Sequence, residues 1–83
     1  SSMETIKDNN KILLELSDDE ALVLLNWLFR FNASDNDTFF EDQAEQRVLW
    51  DMEAVLERAV SATFDNNYQE ILSKARQKIR DEE

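Results

Sequence analysis

From residue 17 onward, apolar side chains recur at three- and four-residue spacing in three stretches, each preceded by a polar break. "SDDE" (17–20) opens the first. Ser17 can accept from the Glu20 backbone while Glu20 reaches back to Ser17, and Asp18 and Asp19 suit the positive helix end, which predicts a helix over about 18–32. Laid out at about 100° per residue, only Asp19, Asn26 and Arg30 make a polar stripe. Leu22, Val23, Leu24, Leu25, Trp27, Leu28, Phe29 and Phe31 take most of the rest. "NASDND" (32–37) is a loop by composition. Thr38 and Glu41 repeat the capping spacing, so a second helix is predicted over about 39–62. Ala44, Val48, Leu49, Met52, Val55, Leu56, Ala59 and Val60 fill one arc of it. Gln43, Gln46, Arg47, Asp51, Glu53, Glu57 and Arg58 lie opposite, and Trp50 falls among them. After "FDNN" (64–67), with Asp65 or Asn66 as cap, a third helix is predicted over about 66–80. Tyr68, Ile71, Leu72, Ala75 and Ile79 form its narrow stripe. Lys74, Arg76, Lys78 and Arg80 gather near its C-terminal end, where cations complement the dipole, and the closing "DEE" is expected to fray.

Two helices with one apolar face each and one that is apolar nearly all round predict an arrangement. The first helix is central, and the other two flank it in an all-α, antiparallel three-helix bundle. Residues 3–16 are weakly patterned. "KILLEL" (11–16) fits a short strand, an extended arm or an extra helical turn, and it is available to cover the central helix on a third side. Ser1 and Ser2 ahead of Met3 read as an expression scar. The 83 residues are expected to form a single domain, 1–83, near the lower size limit for folding without a staple. Cys, Gly and Pro are all absent. Disulfides are thereby excluded, and turns of types I′, II and II′ lose their usual residues, which favours long helices with Asn/Asp-rich links. No apolar run reaches the roughly 18–20 residues of a membrane span, so a cytoplasmic protein is the expectation.

Charge narrows the function. The net charge is −10. Residues 32–53 carry seven acids against Arg47 alone, whereas residues 54–83 carry six acids and five bases. A phosphate backbone would be repelled by the middle segment, which argues against nucleic acid, while a basic protein would be drawn to it. The same acids also serve simple solubility. With neither His nor Cys, the commonest general base, the thiolate nucleophile and the N and S metal ligands are missing. Glycine-rich phosphate loops are impossible. "DNDTFFED" has the air of a calcium loop, but counting from Asp35 the required Gly is Phe40 and the required Glu is Gln46. Glu41, Asp42 and Glu45, or Glu53 and Glu57, could share a divalent ion, yet such pairs are ordinary on a solvated helix face. No enzyme activity, metal or cofactor is therefore expected.

An aromatic-and-acid constellation remains. Phe39 and Phe40 stand among Asp35, Asp37, Glu41, Asp42 and Glu45, and Trp50 lies among Gln46, Arg47, Glu53 and Glu57. Trp is enriched at interface hot spots, and acids around it would steer a basic partner. The alternative is that a Phe plugs the bundle end and that Trp50 packs under the N-terminal arm. Trp27 is assigned to the core, because the central helix has to be covered.

The succession "LSDDEALVLLNWLFRFN", "FEDQAEQRVLWDMEAVLE" and "YQEILSKARQKIRDEE" resembles short, acidic, all-helical bacterial proteins, over about residues 12–80. Some of these look like immunity proteins that accompany secreted or contact-delivered toxins. The resemblance implies an inhibitor that neutralises a basic toxin domain, such as a nuclease, by protein–protein contact. It assigns no role to any individual residue. The competing expectation is a structural or regulatory homodimer formed through the first helix or the Trp50 surface.

Overall fold

The computed structural model describes residues 3–35, 37–60 and 66–81. The chain begins with an antiparallel hairpin of β1 (Glu4–Asp8) and β2 (Lys11–Glu15). There follow α1 (Asp18–Ala33), a 3-10 turn (Asp37–Phe39), α2 (Gln43–Ala59) and α3 (Tyr68–Asp81). The expected all-α chain therefore needs correction: it has three helices and a two-stranded sheet. Of the three conformations open to "KILLEL", its first five residues take the strand.

The hairpin needs a two-residue link between Asp8 and Lys11, which are directly opposed. Such links ask for positive φ, and in a chain without glycine Asn9 supplies it, at φ 56°. Asn tolerates this region better than most residues because its short polar side chain bonds locally. Every residue of both strands is exposed. The hairpin thus lies outside the core, and what ties it to the helices is Leu16, which packs against a cluster of Leu25, Leu28 and Leu56.

The capping box forms as the sequence predicts. The Ser17 hydroxyl accepts from the Glu20 N–H at 3.1 Å, and the Glu20 carboxylate accepts from the Ser17 N–H at 2.8 Å. At the second helix the expected Thr38/Glu41 cap is not used. Residues 37–39 turn as a 3-10 segment, and Asp42 caps instead, accepting from the Ala44 N–H at 2.7 Å. Glu45 reaches back to the Glu41 N–H at 2.9 Å, one residue ahead of the cap, so the two bonds do not close a reciprocal box. As a result α2 starts four residues later than predicted. It also ends earlier than the predicted 62, at Ala59, where Val60 turns extended and its N–H donates to the Leu56 carbonyl. The predicted cap Asp65, Ser1, Ser2 and the last two residues of "DEE" lie outside the described residues. The third helix starts at Tyr68 rather than near 66.

The central placement of α1 holds, since the principal helix–helix contacts are those of α1 with α2 and of α1 with α3. Two small cores result. Leu22 meets Leu72 and Ala75 on the α3 side, and Leu25 and Leu28 meet Leu56 on the α2 side. Val60, just past the end of α2, touches both. The polar stripe of α1 forms the seam with α3, half-buried at Asp19 and Asn26 and exposed at Arg30. The Asn26 amide donates to the Tyr68 hydroxyl at 3.0 Å, while its oxygen accepts from Arg30 at 3.1 Å and from Arg76 at 3.0 Å. Lys78 stands 3.4 Å from Asp19. These pairs run in opposite chain directions, so α3 is antiparallel to α1.

The third side of α1 is aromatic, and here the core assignment of Trp27 fails. Trp27 is 43% exposed and stacks on Phe31, ring centroids 4.7 Å apart. Phe40 meets Phe31 edge-on at 5.9 Å, and Phe39 approaches it at 6.3 Å. The segment after α1 thus folds back over this face, which the hairpin was expected to cover. The apolar arc of α2 also exceeds what α1 covers. Leu49, Met52, Leu56 and Val60 face α1, whereas Val48 and Val55 remain exposed on the outer flank.

Candidate functional site

Trp50 lies on the opposite flank of α2 from Val48 and Val55, because the helical period places it about 100° from Leu49 in the other rotational sense. It is half-exposed, as its place on the polar arc implies. It lines an open groove of about 410 Å³ with Phe29, Asn32 and Ala33 of α1 and Glu53, Ala54 and Glu57 of α2. Three of the predicted contact residues, Trp50, Glu53 and Glu57, are therefore brought together.

Glu53 is less solvated than its wheel position suggests. It is half-buried, and its carboxylate accepts from the Asn32 amide at 2.6 Å. Glu57, one turn further along the same side, is exposed. Asn32 itself lines the groove; its Oδ1 is buried and has no hydrogen-bond partner. A buried acceptor left unmatched costs about 1–3 kcal/mol.

Five of the remaining eight predicted residues, Gln46 included, line a second, smaller cleft. Asp37, Phe40, Glu41 and Asp42 line it together with Gln43 and Gln46. Gln46 and Trp50 are one helical turn apart on the same side of α2, so cleft and groove follow one another along that side. Phe40 is half-buried against Phe31, so one of the two phenylalanines does plug this end of the bundle. Phe39 stays 73% exposed. Asp35 and Glu45 are exposed and line neither depression, Glu45 being engaged as the helix-start acceptor. Among the described residues no three acidic side chains converge as a metal site would require.

Set against known protein families, characterised proteins and solved structures, the chain matches none. The reading of the groove therefore rests on its own chemistry.

Sequence reasoning missed Asn32 and Phe29. By composition Asn32 belongs to the polar "NASDND" loop, but α1 continues through Ala33 and holds Asn32 against α2. The available signal was that it falls on the helix side shared with Leu25 and Leu28, where a lone amide needs partners. The described residues contain no helix long and apolar enough to cross a membrane.

Proposed function

We propose that this chain is a non-catalytic binding protein of the immunity or antitoxin type, and that the Trp50 groove receives a lysine or arginine side chain of a basic partner. The observation that carries this reading is a single groove that sets the half-exposed Trp50 beside the carboxylates of Glu53 and Glu57. An arginine lying over the indole face gains a cation–π contact. Its N–H groups can pair with the exposed carboxylate of Glu57. The acids of residues 32–53 raise the encounter rate with a positive surface, and nuclease toxins present such a surface where they hold phosphate. The cleft of Asp37, Glu41 and Asp42 extends the contact by one helical turn.

The test is co-production with the product of the neighbouring reading frame, followed by calorimetry on the purified pair. The wild-type chain is expected to relieve toxicity and to bind in a salt-sensitive manner. Trp50→Ala should weaken binding by roughly thirtyfold or more, the scale of a hot-spot truncation, while barely moving the melting temperature. Unchanged binding by Trp50→Ala would overturn the site, and a large loss of melting temperature would make Trp50 a core residue.

A further inference from the structure

The hairpin poses a problem that the helices do not solve. A two-stranded ribbon alone is marginal in water, and here Ile6, Ile12, Leu13 and Leu14 are each 53–65% exposed. Residues 12–14 are consecutive, so β2 presents apolar side chains on both faces of the sheet. Its outer edge has no partner strand among the described residues. Proteins usually blunt such an edge with proline, a bulge or a central charge. The middle of β2 has none of these.

The sequence of β2 supplies a specific partner. "KILLE" placed antiparallel to itself about Leu13 sets Lys11 against Glu15 at both ends, Ile12 against Leu14 twice, and Leu13 against Leu13. All five positions are matched in charge and polarity. Within one hairpin Glu15 stands opposite Glu4, a like-charge pair that opposes folding. Lys11 of a second copy would come up on the other side of Glu15 and offset that repulsion. β1 lacks this property, since pairing it with itself about Ile6 would oppose Glu4 to Asp8. Electrostatics at longer range agree. The hairpin carries three acids and two bases, whereas the rest of the chain holds 16 acids and seven bases. The near-neutral hairpin is where two such acidic molecules can approach.

We propose that the protein forms a two-fold dimer through β2, the strand of one copy pairing antiparallel with that of the other about Leu13. The product is a continuous four-stranded sheet, with Ile6 and Leu13 of both copies in one apolar row across one face and Ile12 and Leu14 of both copies on the other. The interface is isologous and closes on itself, so it ends at two copies. It shares no residue with the Trp50 groove, and it holds whether or not the groove binds a basic partner.

Analytical ultracentrifugation of the whole chain up to about 1 mM tests the dimer. The expected result is a concentration-dependent shift toward twice the 9.8 kDa chain mass. Glu15→Lys is the discriminating variant. It places a cation opposite Glu4 inside the hairpin, which favours the fold, but opposite Lys11 across the two-fold, which opposes association. Its dissociation constant should rise at least about tenfold with the helical circular dichroism intact, because both end pairs change sign. Lys11→Glu should weaken self-association likewise, and an equimolar mixture of the two variants should recover the dimer by restoring opposite charges at both ends. A wild-type chain that stays monomeric throughout the range overturns the proposal. So does a Glu15→Lys dimer as tight as wild type, or a dimer abolished by Val48→Lys and Val55→Lys instead.

Discussion

Leu25→Ala is the sharpest test of the central helix. Leu25 is fully buried between Leu28 and Leu56, with Leu16, Ala21, Leu24, Phe29, Leu49, Met52 and Val60 as a partly buried surround. The substitution removes three carbons, about 2.4 kcal/mol at about 0.8 kcal/mol per buried methylene. A cavity that stays open raises the cost toward about 5 kcal/mol. This surround is half-exposed, and α1 has helices on two sides only, so the site can partly collapse. A loss of about 2.5–3.5 kcal/mol is therefore expected. Against the roughly 4–12 kcal/mol that a domain of this size has available, that is a large fraction, and the melting temperature should fall by about 10–25 °C. Urea and thermal unfolding followed by circular dichroism at low protein concentration give the number. Val55→Ala, on the exposed flank of α2, is the control and should stay within about 0.5 kcal/mol. A Leu25→Ala loss below about 1 kcal/mol, or a Val55→Ala loss equal to it, would refute the placement of the core.

Two further substitutions probe the polar framework. Ser17→Ala removes the acceptor for the Glu20 N–H and should cost about 1 kcal/mol in urea unfolding, with Ser17→Asp restoring most of it. Asn26→Ala breaks two hydrogen bonds across the α1–α3 seam and one within α1, and strands the Tyr68 hydroxyl. It should cost about 1–3 kcal/mol by the same measurement, and no loss would mean that the seam is as well served by water.

The helices were legible where local chemistry and tertiary need agree. Ser17 and Glu20 form the box their spacing announces, and the narrow stripe of Leu72, Ala75 and Ile79 turns inward because no other side of α3 is apolar. Legibility failed where two signals compete. Thr38/Glu41 and Asp42 are both credible caps, and periodicity does not choose between them; packing of Phe40 on Phe31 accompanies the later start. β1 is not apparent in the sequence because the absence of glycine argues against tight hairpins, although the Asn9–Asn10 link is an adequate substitute. For the site, the anomaly of Trp50 on a polar arc was visible in sequence. Asn32 and its unmatched oxygen were not, since they depend on how α1 and α2 approach. The constellation read as one patch divides into a groove and a cleft for the same reason.

The position of α1 between two partners has a consequence for motion. Because the principal interfaces both belong to α1, detaching α3 leaves the Leu25–Leu28–Leu56 cluster standing, and detaching α2 leaves Leu22 on Leu72 and Ala75. Amide hydrogens should accordingly exchange in three tiers. Those of α2 and α3 escape through separate partial openings, each with its own denaturant dependence. Those of mid-α1 are released only when both neighbours have gone, so this helix reports the stability of the whole molecule.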